Sequence, residues 1–272
     1  MAYVPDMKPR STGGSIVKWA TSRAVLAPLI AMIAFVVVWE FLVWANGWPD
    51  YVMASPSDLP EAYAKYWGLF ITYGWQTLWR TVVGLVLAVV VGLLLGMVMG
   101  FSRLMRDALY PLLVGFNAIP KATVVPIVAL LFVGAHDFNT ILIAFMISFF
   151  PIAVSVSIGL STLEPEYRDI LRALGASQAT IFWKIALPKT LPEFFGALKV
   201  AVTLAFIGTN LMEIVSPHGR GLGALFDSGK TNSDYPLMFA VLIALAVLGI
   251  VLYYVVVALE KIFAGWADRQ PG

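Results

Sequence analysis

Three groups of residues in this 272-residue chain carry types that could do chemistry. The run Gly223 to Thr231 ends in Gly229-Lys230-Thr231, as a phosphate-gripping loop does. That loop needs a glycine where Ala224 stands and a strand before it, so the run reads as a turn-rich connection shaped by Gly219, Gly221 and Gly223. The second group is His136 and His218. They are far apart, no cysteine accompanies them, and neither a metal cluster nor thiolate chemistry has its ligands. Both read as surface loop residues, and no Ser, His and Asp meet at one boundary for nucleophilic catalysis. The third group is charged. Lys121, Lys199 and Glu213 stand in long apolar stretches, where an ionised side chain costs at least ~2.5 kcal/mol and faces protein or water. With Asn117 and Pro120 before Lys121, and Asn210 before Glu213, they form the set expected along a solute path or gate. The structural alternative is interhelical ion pairing or bonding to carbonyls freed by proline. Lys121 lies deepest and is expected to face a cavity, where its charge would offset a passing anion. Glu40, near the end of an apolar run, can reach the interface and needs no such role.

The elements that position these residues follow from composition. Apolar residues make up 60% of the chain and charged residues 12%, with a mean hydropathy of +0.85. Soluble domains run near ~45–50% and ~25%, so the class is an all-α polytopic membrane protein. The net charge of +2 excludes a nucleic-acid footprint. Apolar runs of about 18 residues or more can cross the hydrocarbon layer. They fall at Val25 to Ala45, Thr81 to Phe101, Leu109 to Val133, Thr140 to Leu160, Leu191 to Val215 and Pro236 to Phe263. The first is too long for a cleaved signal and reads as a retained anchor. Six spans put both termini on one side. If that side is the cytoplasm, the inside segments carry most of the Lys and Arg and the outside ones only Lys65, Arg80, Arg220 and Lys230, which satisfies the positive-inside rule.

The expected organisation is a cytoplasmic segment 1–24, one membrane domain 25–266 and a cytoplasmic tail 267–272. An amphipathic helix over 57–73, capped by Ser57 or Asp58, is expected to lie on the outer surface. Gly84, Ala88, Gly92, Gly96 and Gly100 recur every fourth residue and give one smooth face, read first as packing inside the subunit and second as a dimer face. Pro120, Pro126 and Pro151 remove backbone donors at membrane depth, as walls of a cavity can tolerate.

The inside connection 161–190 is far longer than a turn requires. Ser161 and Glu164 can form a capping box, with a helix ending at Leu174 and Gly175 as its C-cap. Ser177 then caps a second short helix, which Pro188 is expected to break. Gly175 is followed, after nine residues, by Ile185-Ala186-Leu187-Pro188, and Asp169-Ile170-Leu171 precedes it.

Those residues resemble the cytoplasmic signature of the inner-membrane permease subunits of binding-protein-dependent ATP-binding-cassette (ABC) importers: Glu-Ala-Ala, three residues, Gly, nine residues, Ile-x-Leu-Pro. The acid of the Glu-Ala-Ala is kept as Asp169 and its two alanines are replaced. From about Ser55 to Trp266 the chain looks like the nitrate, sulfonate and taurine branch. The supporting runs are Ala54-Ser55-Pro56-Ser57, Arg80-Thr81-Val82-Val83-Gly84, Ala118-Ile119-Pro120-Lys121, Phe149-Phe150-Pro151 and Gly221-Leu222-Gly223.

The resemblance implies a type I ABC importer permease fold in the cell inner membrane. It implies a second permease subunit, as a homodimer or close heterodimer, and an external solute-binding protein. Two cytoplasmic ATPase subunits would carry the ATP and Mg, leaving this chain with no cofactor and no enzymatic role. They would grip the coupling loop through Glu166, Asp169, Ile170, Leu171, Arg172 and Ala173, continuing through Leu174, Gly175, Ala176, Ile185, Leu187 and Pro188. The solute expected from the branch is a small anion such as nitrate, a sulfonate, taurine or an aromatic acid, with a thiamine-precursor pyrimidine as the alternative. An ion-coupled secondary transporter is the competing class, and it would need internal repeats and intramembrane acids that are not evident. An intramembrane enzyme would need a nucleophile and base.

Overall fold

The computed structural model describes residues 23–161, 173–175, 177–216 and 219–266, and among these every regular element is helical. In chain order they are α1 (Arg23–Asn46), a 3₁₀ turn (Pro56–Asp58), α2 (Leu59–Phe101), α3 (Arg103–Ala118), α4 (Lys121–Leu131), α5 (His136–Ser161), α6 (Gln178–Ile181), a π-helical turn (Phe182–Ala186), α7 (Leu187–Val215), α8 (Leu222–Thr231) and α9 (Tyr235–Phe263). Contacts divide the chain into two units, Met1–Glu61 and Ala62–Gly272.

In the first unit, α1 is mostly apolar, with Arg23 and Glu40 as its charged residues, and closes with Asn46 Nδ2 donating to the Leu42 carbonyl. The Glu40 carboxylate accepts from the Ser57 amide (3.1 Å) and the Ser57 hydroxyl (3.0 Å). The sequence reading made Ser57 or Asp58 a cap and gave Glu40 no task. Glu40 instead satisfies the exposed N–H at the start of the 3₁₀ turn, as a carboxylate at a helix N-terminus does.

In the second unit, α2 is a single 43-residue helix kinked at Tyr66. The expected surface helix and the span after it are therefore continuous, because residues 74–80 contain no proline and stay helical through Gly74. The glycine face of α2 lies against α5. A Cβ on Gly84 would stand 2.6 Å from Ala144 Cβ, and one on Gly96 2.6 Å from Val156 Cβ. The small-residue stripe thus serves packing within the subunit, where backbones approach closely. Around it Ala88, Phe149, Ile152, Val156, Leu198 and Val202 form the larger apolar core, and α5 packs along α7.

The single crossing expected over Leu109 to Val133 is broken. Helices α3 and α4 meet at 84° across Ile119 and Pro120, whose extended backbone ends one helix and starts the next. Proline at 120 disfavours the helical conformation at Ile119, which supplies the cause. Pro188 does the opposite of what its sequence position suggests. It sits in the first turn of α7, where the missing N–H has no helical partner to lose, and the helix runs on to Val215. Four described helices are long and apolar enough to cross a membrane, and the α3–α4 pair makes a fifth if counted as one span. The apolar length of α1 among the described residues, Ile30–Asn46, is shorter, so the expected six crossings are not all reproduced as uninterrupted helices.

Candidate functional site

The most connected polar cluster joins α2, α5 and α7 near the end of α7. Glu213 is 1% exposed and Arg80 4%. Arg80 Nη1 donates to Glu213 Oε1 (3.2 Å) and also to the carbonyl of Arg220, while its Nε and Nη2 hold Asp137 Oδ1 at 2.8 and 2.6 Å. Thr77 Oγ1 donates to Glu213 Oε2 (2.8 Å) and accepts from the Leu222 amide (2.9 Å), and the Gly223 amide donates to Glu213 Oε2 (3.0 Å). An ion pair this deep persists only when its remaining donors and acceptors are met, and here they are. Gly221 has φ +138, and a Cβ there would collide with the Glu213 carboxylate, so glycine lets the backbone close over the pair. In the sequence Arg80 stood as an outside base and in a run shared with the family, without a role in the path or gate. Its partners lie far along the chain, and nothing local announces the pairing.

Beside this cluster a cleft of about 620 Å³ opens between Trp79, Arg80, Phe138 and Arg220. His136, read as a surface loop residue, begins α5 and is half-buried, its Nδ1 2.7 Å from Ser216 Oγ. His218 lies outside the described residues.

The intramembrane charges expected along a path are mostly engaged elsewhere. Lys121 Nζ donates to the carbonyls of Phe116 and Ile119 and sits 4.7 Å from the Phe116 ring centre. It bridges the α3–α4 break, supplying donors to carbonyls that the bend leaves without helical partners. Asn117 and Pro120 are exposed at the same break. Lys199 pairs with Glu260 of α9 at 2.8 Å. Asn210 donates from Nδ2 to the Phe206 carbonyl (2.7 Å) and lines an apolar groove between α7 and α9 with Phe206, Gly249 and Tyr253. Only Glu213 joins the cluster described above.

Outside the spans, Asp234 caps α9 by accepting from the Leu237 amide (3.2 Å), and it accepts from the Tyr66 hydroxyl (2.7 Å) with Lys65 nearby. Burial pushes the Asp234 carboxyl pKa up. The Tyr66 hydroxyl, the Leu237 amide and Lys65 more than reverse this and hold it below the ordinary carboxylate value.

Of the coupling-loop residues, Glu166, Asp169, Ile170, Leu171, Arg172 and Ala176 lie outside the described residues, as does Glu164 of the expected capping box. Ala173 and Leu174 are exposed and lead to Gly175, whose φ of +82 is the left-handed conformation of a C-cap. Ser177 Oγ accepts from the Thr180 amide (3.1 Å) and so caps α6. Ile185 lies in the π-helical turn, and Leu187 and Pro188 open α7. Among the described residues no group of His, Asp and Glu could hold a metal ion.

Long apolar helices packed through glycine, a proline-broken span and buried charges tied to one another define a polytopic membrane protein. Residues 88–265 match the family described as the inner membrane component of binding-protein-dependent transport systems, and the chain belongs to that family. It is accordingly an ABC importer permease with the type I fold, a multi-pass protein of the inner membrane. It is 32% identical over 256 residues to the formylaminopyrimidine transport permease ThiX of Halalkalibacterium halodurans, covering 92% of this chain and 99% of that one. It is 31% identical to the riboflavin transport system permease RibX of Chloroflexus aurantiacus (87% and 88% covered). It is 26% identical to the nitrate import permease NrtB of a Synechocystis species (85% of each). Among solved structures, an inward-facing MetNI methionine ABC transporter superposes with a TM-score of 0.60 at 20% identity, covering 73% of this chain and 98% of that one. That likeness supports the fold.

Proposed function

We propose that this chain lines the membrane path of an importer for a small nitrogen heterocycle of the aminopyrimidine kind. A solute-binding protein delivers the solute outside and two ATPase subunits drive the cycle inside. The observation that carries the substrate reading is the near end-to-end match to a formylaminopyrimidine permease, with a riboflavin permease at similar identity. Of the candidate path cations, Lys199 is neutralised by Glu260 and offers no free charge to an anion. Two copies of the chain form the pore, and both termini face the cytoplasm, a reading that the distribution of Lys and Arg supports. The segment 161–190 is the ATPase contact: Gly175 turns the chain sharply, and α6 leads through the π-helical turn into α7, so force applied there reaches a helix that spans the membrane.

The test is ATP-driven uptake. Native membranes are solubilised, the ATPase and binding-protein partners that copurify with this chain are identified, and the assembly is reconstituted in proteoliposomes. Uptake of labelled 4-aminopyrimidine with ATP inside the cytoplasmic face is the expected result. Uptake of nitrate and not of the pyrimidine would overturn the substrate reading, and purification without an ATPase would overturn the coupling reading.

A further inference from the structure

Between α2 and α5 the chain recrosses the membrane with a gap in its helix. Gly84 lies against Ala144 and Gly100 against Leu160, so α2 and α5 run in the same direction, and α3 and α4 must carry the chain back. Sixteen helical residues precede the break and eleven follow it. These are about 24 Å and 16 Å of helix, which puts the break inside the hydrocarbon layer.

The polar groups at this depth are only partly met. Lys121 donates to the carbonyls of Phe116 and Ile119. Among the described residues nothing donates to the carbonyls of Asn117 and Ala118, and the Asn117 carboxamide, exposed on the last turn of α3, has no hydrogen-bond partner. Lipid has no donors or acceptors to offer at mid-membrane, so irregular backbone is tolerated there only where it is buried in protein or lines water. An exposed asparagine beside unmet carbonyls suits the wet wall of a path. A carboxamide also carries a donor and an acceptor side by side. That pair matches an exocyclic amine next to a ring nitrogen, the two-bond contact asparagine makes on adenine. Nitrate has acceptors alone and can take only half of such a contact.

We propose that the α3–α4 break lines the solute path and that the Asn117 carboxamide recognises the solute, a small neutral heterocycle with an amine beside a ring nitrogen. The proposal rests on the importer reading above and adds to it the residue that reads the solute inside the membrane.

The chain has no cysteine, so a single introduced thiol reports on its own surroundings. Ala118→Cys sets that thiol next to Asn117, in the assembly with its copurified partners in lipid nanodiscs. A water-soluble methanethiosulfonate should label it, read as added mass on this chain, because a thiol facing lipid stays protonated and unreactive. Saturating 4-aminopyrimidine should slow labelling at least tenfold. Unsubstituted pyrimidine, which lacks the amine, should need at least tenfold more for the same protection, and nitrate should give none. Adding Asn117→Leu should leave labelling fast and bring 4-aminopyrimidine down to the level of pyrimidine. If that double variant does not assemble, the comparison of the two rings on Ala118→Cys decides. No labelling with or without ATP, as lipid or the second copy covering the break would give, overturns the path assignment. Equal protection by the two rings, protection by nitrate, or unchanged protection in Asn117→Leu overturns the recognition. Aminopyrimidine uptake by the assembly would then leave the heterocycle reading standing without this residue, whereas nitrate uptake in its place would remove both.

Discussion

Replacing Arg80 by methionine isolates the energetic core of the polar cluster. The substitution keeps most of the apolar stem and leaves Glu213, 1% exposed, with Thr77 and the Gly223 amide but without its counter-charge. Removing one partner of a buried pair costs about 3–5 kcal/mol. Asp137 adds little to that figure, since its side chain is 58% exposed and returns to water when the guanidinium goes. For a chain of this size each kcal/mol moves the melting temperature by roughly 2–4 °C, so Arg80→Met should melt roughly 6–20 °C below the parent. The assay is thermal unfolding of the purified chain in nanodiscs, monitored by circular dichroism. The double variant Arg80→Met with Glu213→Met removes both charges at similar volume and should recover most of the loss. Asp137→Asn should stay within about 1 kcal/mol of the parent. An Arg80→Met chain melting within about 2 °C of the parent, or a double variant melting as low as the single one, would refute the view that the pair is a mutually dependent buried unit.

Gly96→Ala places a Cβ 2.6 Å from Val156 Cβ and should cost about 1–3 kcal/mol, whereas Gly115→Ala meets nothing within 4 Å and should be neutral or slightly stabilising, both read from melting curves. Lys121→Met strips donors from the Phe116 and Ile119 carbonyls and should lower stability by about 1–3 kcal/mol, with hydrogen exchange rising around the α3–α4 break and Lys121→Arg largely sparing it. Gly175→Val forces a β-branched residue into φ +82, at about 1–2 kcal/mol, and should abolish solute-stimulated ATP hydrolysis in the reconstituted assembly while the chain still inserts. Because the Asp234 carboxyl pKa is lowered by folding, its contribution is present above the ordinary carboxylate pKa and is lost as pH falls through the lowered value. Asp234→Asn should therefore flatten the acid side of the stability profile and leave neutral pH less stable than the parent.

Local signals were readable and distant ones were not. The four-residue glycine spacing from Gly84 to Gly100 announced a close helix contact, since each residue's size and period act on one face alone. Gly175 and Ser177 were legible for the same reason: a C-cap and an N-cap are satisfied within a few residues. Pro120 signalled an interruption, but the 84° bend depends on how α4 settles against α5 and α7, which no short window contains. Pro188 misled because a proline can end one helix or open another, depending on whether the chain beyond it stays helical. The pairing of Arg80 with Glu213 and Asp137, and of Lys199 with Glu260, joins residues separated by a large part of the chain, so burial and partner became visible only together.

The π-helical turn at Phe182–Ala186 gives the segment before α7 an evolutionary degree of freedom. A π turn holds one residue more than the α-helix around it, so it can arise or vanish by a single-codon insertion or deletion. Losing that residue would rotate α6 and Gly175 by roughly 100° about the α7 axis, the angle of one α-helical step, while every contact from Leu187 onward stayed in register. A lineage could in this way re-aim the segment before α7 without disturbing the helices packed beyond it.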